Sequence, residues 1–253
     1  MIKTLLLCLF LCWTFLLVKA QNDEYVISEP SNKIENQFEK LENPDYTNYL
    51  LTSSSHTLKK RDIRVANTDI LFSKVSYGLT DNTTASLSIS LIGTFIASIK
   101  QKIKLAEDVN LGFSAAIGQA ATLPTDSVVY FTGGQSMITL GDYQNNITFG
   151  VGLYYAKSSF KLINEEKEFL LSNIYIAMQR QLGKRVYLIA EGIYFNNYNI
   201  LSGSLGVKIT IKESMTLGAG IMPLAWIDPS INTSNIEASA IPLLTFRMLL
   251  DRH

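Results

Sequence analysis

The sequence predicts an all-β fold, a closed antiparallel transmembrane β-barrel of about twelve strands, with ten the nearest alternative. Three observations predict it. Segments of about ten residues alternate between small or polar and apolar residues, short turns alternate with longer connections, and the polar face of the segments is poor in charge.

The N-terminus reads as an export signal. Lys3 supplies a basic start, the run from Leu5 to Val18 is apolar except for Thr14, and Val18 and Ala20 are small enough for a cleavage site. The apolar stretch is shorter than a membrane-spanning helix needs. The expected division is a signal peptide over 1–20, a polar periplasmic segment over 21–45 and the barrel over 46–253. Cys8 and Cys12 both lie in the signal region, so the mature chain is expected to use no disulfide, thiol nucleophile or cysteine-ligated metal.

From Ile70 onward the period is two. Ser86, Ser88 and Ser90 interleave with Leu87, Ile89 and Leu91, and Thr148, Gly150 and Gly152 interleave with Phe149, Val151 and Leu153. Further on, Ser202, Ser204, Gly206, Lys208 and Thr210 interleave with Leu205, Val207, Ile209 and Ile211. Alternation of this kind places each set on one face of a strand. Gly133-Gly134 interrupts the pattern and suggests a bulge or the close approach of another element. Short turns fall at Thr80-Asp81-Asn82-Thr83, Ala106-Glu107-Asp108, Gly141 to Asn145, Gly183-Lys184 and Lys212-Glu213-Ser214. Longer polar connections run over 119–126, 158–168, 196–199 and 225–238, with a tight exception at Gly93-Thr94. Eleven strands follow Ile70. An even number brings both ends of a barrel to one side, so residues 46–52 are the candidate opening strand and 53–62 a loop.

A soluble sandwich carries Lys, Glu and Asp on its outer face, whereas here the polar face is mostly Gly, Ser, Thr and Ala. Tyr77, Tyr143, Tyr155, Tyr187, Phe195, Tyr198 and Trp226 fall near segment ends, as an aromatic girdle at a lipid–water boundary would. Lipid leaves no backbone group unpaired, which favours closure. A soluble secreted β-sandwich is the alternative fold.

The charge balance, Lys+Arg 22 against Asp+Glu 22, gives no basic field for nucleic acid. Lys74, Lys100, Lys102, Lys104, Lys208, Glu191 and Arg247 are expected to face the lumen. A row at Lys100, Lys102 and Lys104 would favour anions in a pore. Equally, these lysines could pair with Glu191 and backbone carbonyls in a plugged interior, and Lys104 could snorkel at the interface. Glu191 lies in an apolar strand, where facing lipid is costly, so a partnership with an inner lysine is expected.

Catalytic signals are sparse. His56 and His253 are the two histidines, and no Gly-x-Ser-x-Gly elbow accompanies them. No metal-ligand spacing or phosphate-binding glycine loop is present, so no cofactor or metal is expected.

Tyr77-Gly78-Leu79-Thr80-Asp81-Asn82, Val109-Asn110-Leu111-Gly112 and the run from Asn145 to Gly152 resemble phrases of uncharacterised outer-membrane β-barrel proteins of Bacteroidota-type Gram-negative bacteria. The likeness runs over most of residues 60–250. One departure is the end, which continues past Phe246 instead of stopping on an aromatic. The resemblance implies an outer-membrane location, with membrane lipid and the barrel-assembly machinery as partners, and no agreed activity. The expected role is a narrow channel for small solutes or a structural or surface protein. The alternatives are a barrel that binds a ligand or partner through the loops at 158–168 and 225–238, and, more remotely, an outer-membrane lipid-modifying hydrolase.

Overall fold

The computed structural model describes residues 43–69, 72–91, 93–122, 127–160, 165–197, 199–226 and 238–250. The expected signal peptide and residues 21–42 lie outside them. Twelve antiparallel strands form the barrel: β1 (Ile63–Thr68), β2 (Phe72–Thr80), β3 (Thr83–Ser90), β4 (Phe95–Ala106), β5 (Val109–Thr122), β6 (Ser127–Gly141), β7 (Asn146–Phe160), β8 (Glu165–Gln181), β9 (Val186–Phe195), β10 (Ile200–Lys212), β11 (Met215–Trp226) and β12 (Ala238–Leu250). Each pairs with its neighbours in sequence. β1 pairs with β12, from Ile63↔Leu250 to Thr68↔Thr245, which closes the sheet and leaves no edge.

The alternation expected from the sequence decides which way the side chains point. Val75, Leu87, Ile89, Ile99, Ile103, Ile117, Val151, Leu153, Leu205, Ile209 and Leu244 are exposed around the outside. Their neighbours Ser76, Thr84, Thr139, Thr148, Ser204 and Thr210 are buried inside. An apolar belt of this extent on an exposed surface is what lipid requires and water opposes.

The five short turns expected between Thr80 and Ser214 all lie at one end, and the connections at 69–71, 91–94 and 196–199 lie at the other. Three of them follow a register shift, at Gly78/Thr80, Lys104/Ala106 and Thr210/Lys212, the bulges that sharpen a hairpin. In the β6–β7 turn, Asp142 Oδ1 accepts from the N–H groups of Gln144 (2.7 Å) and Asn145 (2.6 Å), and Gly141 takes a φ of 103°.

The opening strand differs from the expectation. Residues 46–52 do not join the sheet; Ile63–Thr68 does, and the count of twelve stands on that strand. β1 escaped notice because it is short and carries Arg64 among apolar residues. Residues 43–58 instead fold into the lumen. Asn48 bridges Ser53, Tyr49 N–H donates to Thr52 O at 3.0 Å, and Ser54 N–H donates to Thr47 O at 3.2 Å, so the segment is a small hairpin, hereafter the finger. It enters from the short-turn end. Its way out runs over residues 59–62, where Arg61 turns the chain in the left-handed region (φ 73°) and its N–H donates to Gly78 O at 2.7 Å.

One open alternative is resolved and one expectation is corrected. Gly133-Gly134 makes no bulge, because β6 holds an unbroken register with β5 and β7. It is a close approach instead: a Cβ on Gly133 would strike the Tyr154 ring at 2.7 Å. The strands around 158–168 also run further than expected, with Lys157↔Glu168 and Ser158↔Lys167 paired as ladder and not loop. The connection over 227–237 lies outside the described residues.

Candidate functional site

The finger is seated by the inner wall from several sides, and small wall residues make room for it. Leu50 sits over Gly206, Gly218 and Gly220. A Cβ there would lie 2.8, 2.9 and 2.8 Å from its methyl groups. Tyr49, which is buried, donates its hydroxyl to Asn146 Oδ1 at 2.6 Å and lies 2.6 Å from Thr148 Oγ1 on β7. Ser55 N–H donates to Thr139 Oγ1 (2.8 Å), and Leu58 N–H to Thr84 Oγ1 (2.9 Å). Tyr175 donates its hydroxyl to Ser53 O at 3.0 Å. Inward threonines on β3, β6 and β7 thus take the hydrogen bonds that a finger without sheet partners leaves open.

Two carboxylates define the site. Asp45, on the finger, meets three wall cations: Arg247 Nη1, Lys208 Nζ at 2.9 Å and Arg64 Nη1 at 3.3 Å. All four side chains are buried. Burial alone would push the Asp45 pKa up, but Arg247, Lys208 and Arg64 outweigh it and hold the carboxyl below its usual range. The same cations reach the finger backbone. Lys208 donates to the carbonyls of Asp45 (3.2 Å) and Asn48, and Arg247 Nη2 to Leu50 O at 3.2 Å.

Glu191, on β9, reaches the finger's tip. Its Oε2 accepts from Leu50 N–H at 3.1 Å and Leu51 N–H at 2.9 Å. Its Oε1 accepts from Thr52 N–H at 2.6 Å and from the Thr52 hydroxyl at 2.7 Å. Ser204 Oγ also donates to Oε2. Successive N–H groups at a turn converge into an anion-binding concavity, and Glu191 fills this one.

The base of the finger is closed by the β6–β7 turn. Tyr143 packs against Tyr46 with ring centroids 4.4 Å apart and against His56 edge-on at 4.7 Å. Burial, reinforced by Lys100 and Lys102, lowers the His56 pKa to about 3, so the ring is neutral in place. His56 is a packing residue of the finger, held between Tyr46 and Tyr143.

The expected lumen charges divide into three kinds. Lys208, Arg247 and Glu191 are at the site. Lys100 also faces the finger, with Nζ donating to Ser54 O at 3.0 Å and Thr47 O at 3.4 Å. It therefore pairs with finger carbonyls, while Glu191 binds backbone N–H groups and not a lysine. Lys102 is half-buried and Lys104 is exposed toward the short-turn rim, on the same face of β4 as Lys100.

The girdle is also redrawn. Tyr77 and Tyr155 are exposed on the outer face. Tyr143 lies under the finger, and Tyr187 is wholly buried inside. Phe195 is half-buried on the inward parity of β9, which runs through Tyr187, Ile189, Glu191 and Ile193. Tyr198 and the Trp226 side chain fall outside the described residues.

Asp45, Arg64 and the finger itself were not anticipated. One signal was available: the lumen charges read from the strands were six cations and a single acid, an imbalance that a buried interior cannot hold without a counter-charge from elsewhere.

No protein family description matches the chain, and no curated protein matches it either. Among solved structures it is similar to the KdgM porin (TM-score 0.44, 8% identity, covering 76% of this chain and 98% of that one). It is also similar to that porin in complex with disordered oligogalacturonate (TM-score 0.43, 8% identity, 76% and 98% covered). The NanC porin gives a TM-score of 0.41 at 10% identity, with 74% of this chain and 97% of that chain covered.

Proposed function

We propose that the protein is an outer-membrane β-barrel acting as a narrow passage for small solutes, normally held shut by its own N-terminal finger. The observation that carries this is the seating of residues 50–52 on Glu191 inside a closed barrel with an apolar exterior. A purely structural barrel fills its interior with wall side chains. Here Gly206, Gly218 and Gly220 leave room on the wall beside Leu50, and that volume is filled by a segment that is not part of the sheet. The finger's bonds to the wall are polar and reversible, which suits a closure that opens. The role is non-enzymatic on this reading, since the polar side chains at the site hold the finger.

The test is planar-bilayer conductance of the full chain beside its Glu191→Ala variant, with a heat-dependent gel shift confirming that both are folded barrels. Low basal conductance in the parent and frequent open events in the variant are expected. Two equally silent barrels would return the protein to a structural or surface role.

A further inference from the structure

The wall of this lumen does not neutralise its own charges. Among the described residues, Arg64, Lys208 and Arg247 find almost all of their acceptors on the finger: Asp45, Thr47, Asn48 and Leu50. Gln179, which accepts from Lys208 at 3.1 Å, is the wall's contribution. Lys74 and Lys100 lie in the same electrostatic neighbourhood.

The three cations come from separate strands brought together by the closure. Arg64 on β1 and Arg247 on β12 are nearly opposite across the closing ladder, where Ala66 faces Arg247. Lys208 on β10 reaches them past Gly218 and Thr216 of β11, whose small side chains leave the space open. Into this space one carboxylate is inserted. Asp45 does not satisfy it fully, because Arg64 Nε is buried with no acceptor among the described residues.

We infer that Arg64, Lys208 and Arg247 form a binding site for the carboxylate of a small anionic solute, which Asp45 occupies as an internal stand-in while the finger is docked. The inference rests on the gated reading above and deepens it by naming the class of ligand. A carboxylate entering the lumen competes with Asp45 for the same donors. Its binding energy then shifts the finger toward the undocked state, as any ligand favours the state it binds better. Guanidinium and ammonium groups that are already converged need no rearrangement to take such a ligand.

The experiment is calorimetric titration of the purified full chain with succinate, with sodium chloride at matched ionic strength and glycerol as controls. The parent is compared with Asp45→Asn and with Asp45→Asn combined with Arg247→Gln. Removing the internal competitor should tighten succinate binding by about tenfold or more, and the added Arg247→Gln should abolish the gain. Equal affinities in the parent and Asp45→Asn, or a gain that survives Arg247→Gln, would overturn the site.

Should Asp45→Asn fail the gel-shift test for folding, amide exchange in the parent decides. Succinate, but not chloride, should speed exchange across residues 43–58, and unchanged exchange overturns the inference. Succinate binding in a barrel whose Glu191→Ala variant never conducts would keep the site and remove the passage. Conductance without succinate binding would do the reverse.

Discussion

Asp45 and Glu191 hold the finger from opposite directions. Asp45 belongs to the finger and binds wall side chains, whereas Glu191 belongs to the wall and binds finger backbone. The first contact depends on one carboxylate against three cations and is therefore specific to the side chain at position 45. The second reads mainly N–H groups that every residue except proline provides, with the Thr52 hydroxyl as its one side-chain donor among the described residues of the finger. The finger is thus fixed in place by a specific latch at its base and a generic one at its tip.

The largest effect should come from breaking the specific latch. Asp45→Ala strands three buried cations, and loss of one partner from a buried ionic cluster costs about 3–5 kcal/mol. Amide exchange over 43–58 should accelerate by more than a hundredfold, and an unchanged rate would show that the cations have other partners. The tip comes next. Leu51→Pro deletes an N–H that donates to Glu191, while Leu51→Ser keeps it. The proline should loosen the tip by about 2 kcal/mol, as loss of a hydrogen bond to a charged group does, and the serine should change little. Equal effects from the two would mean that the Leu51 side chain, not its backbone, is what the wall recognises.

A smaller effect is expected at the glycine pocket. A methyl at Gly218 would crowd Leu50 Cδ2 and the Thr245 hydroxyl, and overpacking of this kind costs about 1–3 kcal/mol. Gly218→Ala should be milder in a Leu50→Ala background, and strictly additive losses of thermal stability would place Leu50 elsewhere. A further effect concerns pH. His56 has a docked pKa of about 3 against an ordinary 6.5, so the undocked finger binds the proton more readily. Docking is then strongest above pH 6.5 and weakens as pH falls from about 6.5 toward about 3, by up to about tenfold per unit. His56→Phe should flatten that window in exchange rates corrected for intrinsic chemistry. A persisting slope would assign it to other groups.

The period-two pattern made the barrel legible because one side of each strand must satisfy lipid, a requirement every strand meets with its own residues. Glu191 was legible for the same reason, and its inward aim already placed Tyr187 and Phe195 inward, four residues either side on the same strand. Reading aromatic identity ahead of parity put both on the girdle. The finger could not be read this way. Residues 46–52 carry the tyrosines and threonines of a strand without its period of two, and they span one arm and the turn of the hairpin. Whether such an arm joins a sheet or enters its lumen is decided by contacts more than 140 positions away, at Glu191 and Lys208, with no local signature. Asp45 was assigned to a polar tail for the same reason.

The four residues between the finger and β1 have a kinetic consequence. A linker over 59–62 spans at most about 14 Å when extended, and it is anchored at the lip by the bond from Arg61 to Gly78. A finger that leaves the lumen therefore stays within reach of the mouth it came from. Reclosing is a first-order event within one molecule, so the duration of an opening does not depend on how many barrels the membrane holds. Closing a loop of about ten residues takes about 10–100 ns, so on the gated reading the breaking of the Asp45 and Glu191 contacts, and not the search for them, would set the pace.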